Sequence, residues 1–334
     1  MESIFLVKDA TKLYEVYSNS ILKKLKSLTD IDIQKFYTED SLTSHKHELI
    51  NVKYIFSTWY MPKLSEEKIK EFFPNLKGVF YAAGTVKYFA EPYLKRNVRI
   101  FSANIANAIP VAEFVTAQII LANKGYFQAQ ALYKKRKFKK AFSFSNKKTG
   151  NYNCTIGLIG AGNVGANVIE LLKPYNIRVL VYDPYLSHER AEEMGCTNVS
   201  LETLFSQCDV ISNHLPDNPE TKAMLSYRLF SKMKENATFI NTGRGAQVVE
   251  KDLARILKER PYTCALLDVT VHEPLWPHSP FYRLKNVFIT PHIAGSIKNE
   301  EQRMAEYMLE AYQMCIAGDP CPFEVTNENL ENMA

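Results

Sequence analysis

Residues Gly157–Gly165 read GLIGAGNVG, with glycines 160, 162 and 165 in GxGxxG spacing. Three spaced glycines are a weak signal alone, and their surroundings decide the reading. The apolar run CTIGLIG (154–160) before them has the length of a buried strand. NVGANVIELLKPY (163–175) after them has the periodicity of an amphipathic helix. A second apolar run, IRVLVYD (177–183), ends in Asp183, 18 residues after Gly165 (183 − 165). Strand, tight turn, helix and acid-ended strand make up a dinucleotide-binding βαβ unit. In such a unit Gly160 permits the turn, Gly162 lets the backbone approach a pyrophosphate, and Gly165 lets helix and strand pack closely. The helix start presents unpaired N–H groups to phosphate. Asp183 can accept from both ribose hydroxyls and repels a 2′-phosphate, which favours NAD over NADP. The competing reading is a tight turn followed by a surface aspartate.

Beyond this unit the rhythm continues. DVISNHL (209–215), ATFINTG (237–243), TCALLDVT (263–270) and NVFITPH (286–292) are apolar runs separated by helical or connecting segments. About six parallel strands in this order predict a doubly wound α/β domain. Upstream, SIFLV (3–7), VKYIFST (52–58), KGVFYAA (77–83) and VRIFSAN (98–104) read as strands. YEVYSNSILKKLKSL (14–28) and SEEKIKEFF (65–73) read as amphipathic helices, so a second parallel α/β layer is expected. Pro110 is placed to open a long apolar helix running through PVAEFVTAQIILANKGYFQAQALYKKRKF (110–138). Its apolar surface exceeds one face, and Phe114, Ile119 and Ile120 are expected at a subunit interface. Near the end, Met304, Tyr307, Met308, Ala311 and Cys315 share one helical face.

Composition narrows the class. The 334 residues suggest about two domains at ~150 residues each. A net charge of +5 gives little support for nucleic-acid binding. The lysine-rich stretch 133–148 is expected to be a solvated helix end and loop. The six cysteines are scattered and form neither a CxxC pair nor a cluster with histidine, so they read as reduced thiols and no metal site is expected. No signal-peptide core opens the sequence and no run of about 20 apolar residues is apparent, so a cytoplasmic protein without a membrane span is expected.

Ligands in doubly wound folds bind beyond the carboxyl ends of the strands. Arg244 follows one strand there in INTGRGA, Asp268 ends the next with Glu273 beyond it in LLDVTVHEPL, and His292 follows the last in FITPHIAG. Taken one at a time they read as a surface arginine, a turn aspartate, a loop carboxylate and a hydrogen-bonded histidine. Taken together beside a nucleotide loop they form a catalytic set. Arginine grips a carboxylate through two parallel hydrogen bonds. Histidine moves a proton near neutral pH, and a carboxylate beside it orients the ring and favours its charged form.

PVAEF, GLIGAGNVG, VYDPY, INTGRGAQVVE, LDVTVHEPL and ITPHIAG, in that order, resemble the D-isomer-specific 2-hydroxyacid dehydrogenases, a family with D-lactate, glycerate and phosphoglycerate dehydrogenases. The resemblance covers nearly the whole chain. It implies a Rossmann NAD-binding domain over 106–294 and a smaller flavodoxin-like substrate domain formed by 1–105 and 295–334. It implies catalysis by Arg244, Glu273 and His292, and a homodimer built on the helix at Pro110. It places Gly160, Gly162, Asn163, Val164, Gly165, Asp183, Pro184, His214, Pro216, Thr221, Thr242, Gly243, Arg244, Asp268 and His292 around NAD. It assigns the substrate to Ala83, Gly84, Arg244 and His292. The activity implied is hydride transfer between a D-2-hydroxy acid and a 2-oxo acid. The first sixty residues match least well. FSTWYMPKL carries Trp59, Tyr60 and Met61 where phosphoglycerate-specific members more often carry an arginine, and 334 residues leave no room for the extra regulatory domain of some of them. A formate-oxidising member lacks a glutamate in the place of Glu273. The alternative reading is an NADH-sensing, corepressor-like binding protein, since such relatives can retain the catalytic residues.

Overall fold

The computed structural model describes residues 1–330. The last part of the expected substrate domain, 331–334, lies outside the described residues. The chain divides into two compact units, one of Met1–Asn107 with the stretch from Ser296 onward, the other of Ala108–Gly295. The division falls two residues and one residue later than the expected boundaries (107 against 105, 295 against 294).

The first unit carries β1 (Ser3–Leu6), β2 (Phe36–Tyr37), β3 (Tyr54–Ser57), β4 (Gly78–Tyr81) and β5 (Arg99–Ser102). They form a parallel sheet in the order β2-β1-β3-β4-β5, the flavodoxin-like arrangement. Alternate side chains point to opposite faces of a strand. Ile4, Ile55, Val79 and Ile100 therefore join one apolar layer, while Phe5, Phe56, Phe80 and Phe101 join the other. Phe80 stacks on Phe101 with centroids 4.7 Å apart, so β4 and β5 share an aromatic layer. The helix Asn299–Ala317 buries Met304, Met308 and Ala311 against that layer.

The second unit carries β6 (Cys154–Ile159), β7 (Ile177–Tyr182), β8 (Thr197–Asn198), β9 (Val210–Asn213), β10 (Thr238–Asn241), β11 (Cys264–Leu267) and β12 (Val287–Ile289). Returning to the first unit, β13 (Glu324–Val325) adds antiparallel to β5. The second sheet is wholly parallel in the order β12-β11-β10-β9-β6-β7-β8, with one short edge strand more than the six expected. The order reverses between β6 and β9, and this switch point is where a doubly wound sheet opens a crevice for a nucleotide.

Several expectations about helices are corrected. YEVYSNSILKKLKSL is not one helix: Ala10–Val16 and Asn19–Leu28 are separate, because Tyr17 turns into the core and Ser18 is extended. Pro110 does not open its helix, which spans Asn104–Ala122 with the proline inside. Side chains start that helix earlier: Ser102 Oγ accepts from Asn104 N–H and Asn104 Oδ1 from Ile105 N–H. The helix also stops at Ala122, where Gly125 takes a left-handed φ of 67°, and Tyr126–Lys134 and Phe138–Ser145 follow separately. Finally, Asn104–Ala122 is long and apolar enough to cross a membrane by length and composition, contrary to the expectation that no such run exists. Val111, Ala112, Val115, Ile119 and Ala122 pack into the core of the second unit. Ile119 is thereby removed from the expected interface, since its side chain is fully buried at home, whereas Phe114 and Ile120 are only partly covered.

Candidate active site

The glycine loop joins β6 to the helix Asn163–Leu172. Gly160 has a φ of +98°, and a Cβ there would lie 2.8 Å from the His214 carbonyl oxygen. A Cβ at Gly165 would lie 2.1 Å from the Gly160 carbonyl oxygen, so helix and turn touch through bare backbone. Gly162 differs: a Cβ there would meet nothing within 4 Å. Among the described residues no packing demands a glycine at that position, which suits a backbone approached by a ligand phosphate. Gly162 caps the helix without a side-chain hydrogen bond, so the N–H groups of its first turn, from Asn163 and Val164 on, face outward. Asp183 ends the next strand. Its Oδ2 accepts from Ala161 N–H at 2.8 Å and its Oδ1 from Tyr185 N–H at 2.9 Å, which fixes the carboxylate against the loop beside the exposed Pro184.

The wall across the switch point comes from the end of β9. His214 reaches the surface in part, but its Nε2 is buried and has no hydrogen-bond partner among the described residues. Burial pushes the ring's pKa down to about 3, so it is neutral at ordinary pH. Thr242, after β10, also buries an unpartnered Oγ1. Thr221 Oγ1 donates to the Pro216 carbonyl at 2.7 Å and closes the loop between them. A buried polar atom without a partner is destabilising, and nucleotide contact is one way to satisfy it. These two atoms, the open Gly162 and the uncapped helix start fit NAD.

Arg244 stands two residues beyond Thr242. Its Nη1 donates to the Gly243 carbonyl at 2.8 Å, and among the described residues no carboxylate pairs with it. Gly245 explains how this loop meets the next: a Cβ there would lie 2.0 Å from the Thr270 carbonyl carbon. Thr270 belongs to the turn that carries Glu273, whose Oε1 accepts from Thr270 N–H at 3.3 Å. Glu273 Oε2 lies 2.7 Å from His292 Nδ1. Both side chains are close to half exposed, which leaves the ring free to act at Nε2. His292 takes a left-handed φ of 54°, unusual for a residue with a Cβ. Its N–H is held by the carbonyls of Asp268 and Thr290, each at 3.0 Å.

Asp268 is nearly buried and works within the chain. Its Oδ1 accepts from Thr290 Oγ1 at 2.6 Å and Ile293 N–H at 3.0 Å, and its Oδ2 from Ala294 N–H at 2.9 Å. It therefore holds the turn that presents His292. Three further residues were not singled out from the sequence: Asn213, Asn241 and Gln247, all with side chains essentially buried. Their signal was present as amides within otherwise apolar strand ends, DVISNHL and ATFINTG, and in GRGAQVV.

Ala83 and Gly84 lie in the first unit, at the end of β4. Ser102 Oγ contacts both of their carbonyls, at 3.2 and 2.5 Å, and pins the turn.

Comparison with known proteins follows this geometry. Residues 116–294 match the family model described as D-isomer specific 2-hydroxyacid dehydrogenase, NAD binding domain. D-3-phosphoglycerate dehydrogenase of Archaeoglobus fulgidus is 33% identical over 237 residues, which are 71% of this chain and 44% of that protein. This chain thus spans less than half the length of the phosphoglycerate dehydrogenases it matches. Glyoxylate reductase of Korarchaeum cryptofilum is 30% identical over 247 residues, 73% of this chain and 74% of that one. In fold, D-mandelate dehydrogenase of Rhodotorula graminis superposes with a TM-score of 0.80 over 97% of both chains at 16% identity. With the glycine loop, the switch point and the matched NAD-binding domain in place, the chain belongs to the D-isomer specific 2-hydroxyacid dehydrogenase family.

Proposed function

We propose that this protein interconverts a D-2-hydroxy acid and a 2-oxo acid with NAD as cofactor. The observation that carries this reading is the 2.7 Å pair of Glu273 and His292 on the same loop rim as Arg244. When bound, the cofactor would supply the hydride as NADH in reduction and accept it as NAD+ in oxidation. In reduction His292, protonated, gives its Nε2 proton to the oxygen formed at C2. Glu273 holds the ring through Nδ1 and balances its charge. Arg244 binds the carboxylate of the acid and stabilises the negative charge that develops on the neighbouring oxygen. Oxidation runs these roles backward, with the neutral ring taking the hydroxyl proton. Asp183 supports NAD over NADP, because a 2′-phosphate would meet its carboxylate.

The same reading includes a cytoplasmic homodimer joined through the partly covered face of Asn104–Ala122. Phe114 and Ile120 stand on that face, with the exposed Leu121 beside them.

Oxidation of NADH with a panel of 2-oxo acids tests the activity. Turnover of at least one member with D-stereochemistry in the product is expected. No turnover across the panel, with NADH still bound, would overturn the reading in favour of an NADH-sensing binding protein.

A further inference from the structure

The carboxyl ends of β9 and β10 enclose three side-chain amides with almost no exposure, Asn213 at 0%, Asn241 at 1% and Gln247 at 0%. A buried polar group left unpaired is destabilising. Here Gln247 satisfies both ends of its amide. Its Oε1 accepts from Asn213 Nδ2 at 2.6 Å and from the Arg244 N–H at 3.0 Å. Its Nε2 donates to the carbonyls of Leu215 at 2.9 Å and Pro216 at 2.8 Å. Asn213 Nδ2 also reaches Asn241 Oδ1 at 2.9 Å, and Asn241 Nδ2 reaches the Arg244 carbonyl at 3.4 Å. The Gln247 N–H donates to that same carbonyl at 3.3 Å. The backbone of Arg244 is therefore gripped at both its N–H and its C=O.

The guanidinium end has much less to fix it, among the described residues only the carbonyl of Gly243. Where that side chain points is thus set largely by the backbone, and the backbone is set by Gln247. The other end of the Gln247 amide holds the loop after His214, the residue whose carbonyl closes over Gly160. The packing leaves no slack, since a Cβ at Gly243 would lie 2.7 Å from Gln247 Oε1 and 2.8 Å from Asn213 Nδ2.

We propose that Gln247 is a positioning residue for Arg244, and that its amide, paired with Asn213, couples the arginine to the His214–Pro216 loop beside the NAD site. This rests on the reading of Arg244 as the carboxylate-binding residue. A methionine at 247 would fill the volume but remove the partner of the Arg244 N–H and the donor to the Leu215 carbonyl, leaving the Pro216 carbonyl to Thr221 Oγ1. A glutamate would keep the acceptor for Arg244 and lose the donor to the two carbonyls.

A double-mutant cycle tests it, with kcat and KM measured for a 2-oxo acid that wild type turns over and Kd measured for NADH. Gln247→Met should lower kcat/KM for the acid by ~10²-fold, the usual effect of misplacing a group by about 1 Å. In an Arg244→Ala background the same change should add almost nothing, because Gln247 acts through Arg244. Gln247→Glu should weaken NADH binding more than it lowers kcat, and it decides the matter if the methionine variant does not fold. Independent, additive losses in the cycle would show that the amide serves stability alone and would overturn the proposal. Wild-type turnover in Arg244→Ala would instead overturn the role of the arginine, and the positioning role with it.

Discussion

His292 Nδ1 lies 2.7 Å from Glu273 Oε2, although the two residues are 19 positions apart and belong to turns after different strands. The contact commits Nδ1 of the ring to the carboxylate and leaves Nε2 to exchange protons with substrate. His292→Gln should keep NADH affinity, since the glycine loop and Asp183 are untouched. It should lower kcat by ~10²–10⁴, the usual contribution of a general acid. In wild type the reductive kcat should fall as pH is raised and the oxidative kcat as pH is lowered, because the two directions need opposite protonation states. Both dependences should disappear in His292→Gln. Near-normal turnover of that variant would leave His292 as a hydrogen-bonded loop histidine.

The glycines of the loop should separate into two classes. Gly165→Ala drives a Cβ into the Gly160 carbonyl at 2.1 Å, and overpacking of this kind is destabilising by about 1–3 kcal/mol. Its Tm should drop with or without cofactor. Gly162→Ala meets nothing within 4 Å and should keep its Tm. Its NADH Kd should nevertheless rise at least several-fold, because the added methyl occupies the approach to the helix N-terminus. Thermal melts and NADH titrations of both variants check the contrast; an unchanged Kd for Gly162→Ala would remove the phosphate from that site.

Burial holds the pKa of His214 at about 3, against 6.5 for a free histidine. Between those values the unfolded chain takes up a proton that the folded chain refuses. Stability should therefore rise with pH across this window and be lost as pH falls, by up to about 1.4 kcal/mol per pH unit from this residue. His214→Asn should flatten the fall of Tm between pH 6.5 and 4 relative to wild type. An identical slope in the variant would place the titration elsewhere.

Leu121 is exposed beside the partly covered Phe114 and Ile120, whereas Ile119 is fully buried in its own unit. Light scattering at micromolar protein should report a dimer, and Leu121→Asp should shift it toward monomer without a large change in Tm. Ile119→Asp should unfold the second unit instead. A monomeric wild type would contradict the assembly.

Much of this molecule is legible in one dimension because the parts concerned are local. A strand, a turn with a positive φ at Gly160 and a helix start are set by neighbouring residues, so GLIGAGNVG announces its unit unaided. Apolar runs such as SIFL and CALL are buried on both faces and announce parallel sheets in the same way. Arg244, Glu273 and His292 could be placed after strands, and hence on one rim, by counting. What counting could not supply was distance. The 2.7 Å contact of His292 with Glu273, the left-handed backbone of His292 held by Asp268, and the amide network around Gln247 join segments separated by 19 to 34 residues. The burial of Ile119 in the core has the same nonlocal cause, whereas the start of its helix is local, set by Ser102 and Asn104 ahead of the proline. Local propensity is written residue by residue, whereas the partner of a buried polar group or an apolar face is decided only when distant strands come side by side.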